Sequence, residues 1–302
     1  MKAKQMIIDC HAHVFAFPKL ASPFSKTTWL SAQEQIRIMD SKGVDKAVIL
    51  PLSNAECCAE VQSFGEILYI CECFPGRFIP YCNIDPRLPQ RPDLITVDHF
   101  LYILEQYKNL GAKGLGELVA RIPWNDPCML NLLEACQIVN FPITFHTITP
   151  DYDGYGVLDY PGLELLEIVL KRFPHLRLFG HSPGFWSEIS SSLRIEDKNG
   201  YPKGPVKEGG ALVNLLRKYP NLHCDISAGS GLFALQRDPD FTWKFIEEFQ
   251  DRIILGLDYG SVKNDMQHIE WLKKAKLENY ISELAYTKIT SRNISTILGL
   301  GL

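Results

Sequence analysis

Short apolar runs alternate along this chain with longer amphipathic segments. The runs at 6–13, 46–52, 77–84, 112–118, 142–147, 176–182, 221–227 and 253–258 have the length and make-up of strands. The segments between them, 31–42, 55–74, 96–110, 126–139, 159–173, 209–218 and 238–249, have helical spacing, and two more, 266–275 and 279–298, follow the last run. Pro75-Gly76, Pro142, Pro174 and Pro220 each come shortly before a strand, where a helix has to stop. Asp126-Pro127 reads as a helix cap with proline at the first helical position. Such alternation predicts βαβ units and a parallel sheet. Eight units of about 35 residues predict an α/β fold of the (β/α)8 TIM-barrel type. An open doubly wound sheet would want a glycine-rich phosphate turn after its first strand. Asp9-Cys10-His11-Ala12-His13 stands there instead.

The rest of the sequence is consistent with one barrel domain over 1–302. Two insertions, 148–158 and 182–208, leave the C-terminal ends of predicted strands five and six, and are expected to wall or cover an active site. The chain is 46% hydrophobic with a net charge of −4, and has no basic stripe suited to nucleic acid and no apolar run long enough for a bilayer. Its nine cysteines include no Cys-x-x-Cys; Cys57-Cys58 and Cys71-Glu72-Cys73 are the only close pairs. Buried free thiols in a reducing cytoplasm are the expectation.

Metal-ligand residue types close several of the strands. His11 and His13 close the first, His146 the fifth, His181 the sixth and Asp258 the eighth. Active sites of (β/α)8 barrels lie at that end of the strands. His11 and His13 are two apart on a strand and so share a face. Three of these histidines with the aspartate offer neutral nitrogen and anionic oxygen, a set that suits zinc and also manganese, iron or cobalt. The chemistry this predicts is hydrolysis by a metal-activated water, with Asp258 taking the proton and His181 and the metal stabilising the oxyanion.

Glu117, in Gly114-Leu115-Gly116-Glu117, ends predicted strand four and carries three open readings. It could bridge two ions, one held by His11, His13 and Asp258 and the other by His146 and His181. It could face substrate beside a single ion. It could be a salt-bridged rim residue. Arg121, Trp124, Tyr152, Tyr155, Trp186, Tyr201, Lys203, Arg237, Ser227 and Tyr259 lie in segments expected around the mouth, and would suit a small, carboxylated substrate. Asp9 is expected to support the histidine pair. Asp225 and Ser227 read equally as substrate contacts or a tight turn. Asn83 and Asp85 end predicted strand three, where Asp85 before Pro86 is read as a structural turn residue, and His99, His175, His223 and His268 are read as surface or packing residues away from the catalytic end.

At these residues the sequence resembles the amidohydrolase superfamily, in its amidohydrolase-2 branch, which includes aminocarboxymuconate-semialdehyde decarboxylase-like enzymes. The resemblance is carried by Ile7-Ile8-Asp9-Cys10-His11-Ala12-His13, Phe145-His146, Phe179-Gly180-His181, Gly256-Leu257-Asp258-Tyr259 and the closing Asn293-Ile294-Ser295-Thr296-Ile297-Leu298-Gly299-Leu300. It implies a metal on His11, His13, His146 and Asp258, with His181 orienting or activating the water. Homodimers are common in that branch. The branch's decarboxylases do not in general place an acid where Glu117 stands, and Lys113 sits at the wrong end of its strand to be a carbamylated bridge. Glu117 therefore tilts the expectation toward hydrolysis of an amide, ester or lactone. The alternatives are non-oxidative decarboxylation of an aromatic or vinylogous acid, and a two-metal phosphoesterase.

Overall fold

In the computed structural model, residues 5–22, 26–56, 61–88 and 95–301 are described. Cys57 and Cys58 lie outside them. Eight strands form the frame: β1 (Ile8–Ala12), β2 (Lys46–Ile49), β3 (Phe78–Pro80), β4 (Leu115–Leu118), β5 (Ile143–Ile148), β7 (Leu178–His181), β8 (Leu222–Asp225) and β9 (Ile253–Ile254). A ninth, β6 (Val157–Leu158), lies in the first insertion and extends β5. All pairings are parallel. Backbone bonds join the two arcs into a ring. Cys82 N donates to Gly114 O and Gly116 N to Cys82 O, both at 2.9 Å. On the other side Cys10 N donates to Leu255 O and Asp258 N to His11 O, also at 2.9 Å. The result is a (β/α)8 barrel.

The helices follow the sequence pattern, except that the one expected over 55–74 begins only at Phe64, capped by Ser63, with 57–60 outside the described residues. They are α1 (Ala32–Lys42), α2 (Phe64–Cys73), α3 (Val97–Asn109), α4 (Pro127–Val139), α5 (Glu164–Arg172), α7 (Ala211–Lys218), α9 (Pro239–Phe249) and α10 (His268–Leu277), with α11 (Glu283–Thr287) and α12 (Asn293–Leu298) joined by a π-helical stretch. Asp126 caps α4 by accepting from Cys128 N at 2.8 Å. The segment expected as one helix from 159 begins instead with Asp159, whose carboxylate takes the amides of Leu165 and Leu166 at 2.9 and 3.0 Å and so caps α5 from outside. Two short elements were not expected: α6 (Pro183–Trp186) and α8 (Ala228–Gln236). The Ala228-Gly229-Ser230-Gly231 start of α8 reads as a turn in sequence. It is helical because a side chain at Gly231 would stand 2.3 Å from Ile226 O, so only glycine lets the helix lie this close to the strand end.

Two apolar layers hold the frame. Ile8, Cys10, Val48, Leu50, Ile79, Tyr81, Phe179 and Ile254 fill the ring, and Ile294 and Leu298 of α12 close one end of it. The second layer, with Ala12, Ile49, Leu115 and Leu118, lies between strands and helices. The boundary between them explains how the ligands are aimed. On β1, Asp9 pairs with Ala47 and Ala12 with Ile49, so β1 holds one extra residue. On β4, Leu115 pairs with Ile143 and Leu118 with Phe145, again with one extra. A bulge shifts the two-residue alternation by one. It lets β1 put Ile8 and Cys10 inside and then turn His11 and His13 inward as well, with Ala12 outside.

The second insertion is packed, not loose. Lys198 and Glu188 form a buried ion pair at 2.7 Å, and Lys198 Nζ also donates to Gly184 O at 2.6 Å. Asn199 Nδ2 donates to Thr149 Oγ1 at 2.6 Å and ties the two insertions together. The described cysteines are free thiols, and Cys10, Cys82, Cys136 and Cys224 are buried. No helix among the described residues is long and apolar enough to cross a membrane.

Candidate metal centre

The strand ends bring six expected residues together. His11, His13, Glu117 and His181 are almost wholly buried, and His146 and Asp258 are partly exposed beside them. His146 and His181 are direct neighbours across β5 and β7. Three overlapping groups place one ligand atom from each member within 4.8 Å of the others: His11, His13 and Glu117; His11, His181 and Asp258; Glu117, His146 and His181.

The far side of each ring fixes its direction. His11 Nδ1 lies 2.6 Å from Asp225 Oδ2, and His13 Nδ1 lies 2.9 Å from Leu50 O. His181 Nδ1 lies 2.8 Å from Ser227 Oγ. The Nε2 atoms of His11 and His13 therefore converge, at 3.1 Å. Glu117 is two-sided. Its Oε2 lies 3.7 and 3.3 Å from the Nε2 atoms of His11 and His13, and its Oε1 lies 3.1 Å from His146 Nδ1. Asp258 spans likewise, with Oδ1 3.8 and 3.6 Å from His11 and His13 and Oδ2 3.7 Å from His181 Nε2. Asp258 has φ 57°, the left-handed region that aspartate tolerates better than most residues.

Burial and charge work against each other here. Burial alone would raise the Glu117 carboxyl, but hydrogen bonds with His11, His13 and His146 hold it well below the usual carboxylate range. Burial would lower His11, yet Asp258, Asp225 and Glu117 carry it well above its ordinary value. His181 is pushed down to about 4 by burial and by His11 beside it. Two carboxylates, Glu117 buried and Asp258 partly exposed, and four histidine nitrogens, three of them on rings fixed from behind, make a donor set that fits one or two divalent cations. The cation would occupy the place where these charges call for positive charge.

Several neighbours have other work than expected. Asp9 supports the backbone, not an imidazole: its Oδ1 accepts from His11 N at 3.0 Å and Leu257 N at 2.8 Å, tying β1 to the strand-eight end. Burial pushes its carboxyl up to about 7. Asn83 donates to Glu117 O at 2.7 Å and Pro51 O at 3.0 Å, holding the bulge of β4. Trp124 is fully buried against Phe145 in the helix-side layer, so it does not reach the mouth. Trp186 is buried too and donates to Asp225 O at 2.9 Å, and Tyr259 is buried with its hydroxyl accepting from Met266 N at 3.1 Å. Arg121 is spent on the first insertion, donating to the carbonyls of Tyr152, Gly154 and Pro150 at 2.7, 2.8 and 2.8 Å. Tyr152 and Tyr201 are exposed, and Tyr155 lies 4.7 Å, centroid to centroid, from His146.

His268, expected away from the catalytic end, is buried behind it and lies 2.9 Å from Ile226 O. His223 is buried against Phe179. Asp225 and Ser227, left between substrate contact and tight turn by sequence, stand behind His11 and His181. The signal that found the others, an acid or histidine closing a strand, applies to Asp225 equally.

Fold and centre together define a (β/α)8 barrel with a histidine–carboxylate cluster at the C-terminal ends of its strands. No protein-family model and no curated protein matches the sequence. Solved structures do share the fold. An uncharacterized TIM-barrel protein from Bordetella bronchiseptica is 17% identical, with 97% of this chain and 98% of that one covered and a TM-score of 0.65. A probable 2-pyrone-4,6-dicarboxylic acid hydrolase from Acinetobacter baumannii, with citric acid bound, is 14% identical over 97% and 99%, at 0.61. A dihydroxybenzoic acid decarboxylase from Polaromonas, with manganese and 2-nitroresorcinol bound, is 15% identical over 99% and 98%, at 0.59.

Proposed function

We propose that this chain is a metal-dependent hydrolase of the amidohydrolase-2 branch, which cleaves an ester, lactone or amide bond in a small carboxylated molecule. The observation that carries the reading is the two-sided presentation of Glu117, one oxygen toward His11 and His13 and the other toward His146. That is the geometry of a carboxylate set to bridge two cations. The fold shared with the dicarboxylic acid hydrolase supports the substrate class. Zinc suits the donor set, and manganese, which the Polaromonas decarboxylase holds, suits it equally.

When bound, a divalent cation supplies the charge that lowers the pKa of a water toward about 7 and polarises the carbonyl. The protein supplies the rest. Asp258, between the His11–His13 pair and His181, accepts the proton of the attacking water. His181, neutral in its buried setting and fixed by Ser227, presents Nε2 toward the oxygen on which charge develops. Asp225 holds His11 in place.

Metal analysis of protein purified without added metal tests the centre. Two equivalents per chain, falling to one or none in Glu117→Ala, are expected; a single equivalent unchanged by the substitution would remove Glu117 from the metal. Acid release from esters and lactones tests the reaction. The fold shared with the Polaromonas enzyme favours a second reading, decarboxylation of an aromatic acid. Carbon dioxide release without ester or lactone cleavage would establish it in place of the first.

A further inference from the structure

A cavity of about 560 Å³ opens outside the metal centre, between the second insertion and the end of α8. None of the six metal-centre residues lines it. Its charged lining is Arg194, Asp197, Lys203 and Arg237. Arg194 and Asp197 neutralise each other at 2.7 Å. Asp238, next to Arg237 in sequence, is held by backbone amides and acts on Arg237 only through space: its Oδ2 accepts from Val206 N at 2.7 Å and its Oδ1 caps α9 through Phe241 N at 3.2 Å.

Lys203 and Arg237 are left over. Among the described residues neither has a carboxylate within salt-bridge distance. Arg237 is half-buried and directed by two carbonyls, Gly204 O at 2.8 Å and Pro205 O at 3.3 Å, which fix the guanidinium without neutralising it. A fixed guanidinium with no carboxylate in direct contact, sharing a concave site with an ammonium, is the arrangement that recognises an oxyanion. Tyr201 also lines the cavity.

We propose that this cavity is a second ligand site, specific for a small oxyanion carrying two or more negative charges and bound by Arg237 and Lys203. Phosphate and a short dicarboxylate share that chemistry, and the site uses charges that the reaction at the metal centre does not need.

The test is calorimetric titration of the metal-loaded protein with inorganic phosphate and, separately, succinate. Binding of either is expected, weakened about tenfold or more by Lys203→Gln and by raised salt. Lys203 makes no hydrogen bond among the described residues, so this substitution does not threaten the fold. Arg237→Gln should weaken binding further, with its thermal unfolding checked because two carbonyl contacts go with it. Asp258→Asn should leave this binding unchanged, which separates the site from the metal centre whatever reaction occurs there. If Asp258→Asn abolishes the binding and Lys203→Gln spares it, the anion sits at the metal and the proposal fails. It fails also if neither anion binds. Phosphate binding without succinate, or the reverse, identifies which oxyanion the cavity prefers.

Discussion

At the scale of single residues, the centre depends on side chains that never touch a cation. Asp225 is wholly buried, and its carboxylate 2.6 Å from His11 Nδ1 fixes both the tautomer and the direction of that ring. Asp225→Asn keeps the shape and removes the charge. Metal affinity, measured by competition with a chelator, should fall about 10- to 100-fold; unchanged affinity would show that His11 needs no such partner. Gly256 belongs to the same arrangement, because a side chain there would stand 2.3 Å from Asp225 Oδ1 and 3.0 Å from His11 Cβ. The ligand types were legible in the sequence, since a histidine or acid closing an apolar run is visible without coordinates. The partner of each imidazole was not. Leu50 O, Ser227 and Asp225 come to His13, His181 and His11 from other strands, at separations that no local pattern encodes.

At the scale of elements, the first insertion owes its shape to one cation. Arg121 binds three of its carbonyls, Gly156 N returns to Val119 O at 3.0 Å, and Tyr155 is thereby set against His146. Arg121→Ala should leave the barrel intact and free the insertion. Amide exchange in residues 151–156 should accelerate about tenfold to a hundredfold, as expected for loss of charge-assisted hydrogen bonds. Exchange rates unchanged there would mean that β6 and Asn199 hold the insertion alone. From sequence, Arg121 was a reasonable candidate for a substrate carboxylate, because a loop arginine near a mouth is free until its carbonyl partners are known. Aromatic residues misled for a related reason. Trp124, Trp186 and Tyr259 sit in segments near the mouth, but their large apolar surfaces are better buried than wet, and the packing took them inward.

At the scale of the whole molecule, the buried Lys198–Glu188 pair ties the second insertion to itself, and Glu188 anchors it to the segment before α5 by accepting from Gly162 N at 2.8 Å, which makes it a fixed wall. Burial lowers the Lys198 ammonium, with Glu188 opposing that shift. Lys198→Met leaves Glu188 charged and buried, and should destabilise the fold by about 3–5 kcal/mol. The double variant Glu188→Gln, Lys198→Met should recover more than half of the loss, since the amide can still accept from Gly162 N, now 2.8 Å from Glu188 Oε1. Chemical denaturation of the three proteins measures both effects. A double variant as unstable as the single one would place the stabilisation in packing of the lysine stem, not in charge balance.

The sequence by itself determined the eight strands, most of the helices, the end of the barrel that carries chemistry and the residues that meet there. Those follow from short-range physics: two-residue alternation, helical spacing, proline and glycine punctuation, and polar groups left at the ends of apolar runs. Only the tertiary structure decided the phase in which the ligands face inward. One extra residue in β1 and one in β4 reverse the alternation just before His11 and Glu117. Register depends on the neighbouring strand, and that neighbour is assembled from distant sequence. The pairing of charges was decided in the same way. Arg121 and Lys198 found partners, while Lys203 and Arg237 were left with no carboxylate in salt-bridge distance among the described residues, because distances between remote segments exist only once the chain has folded.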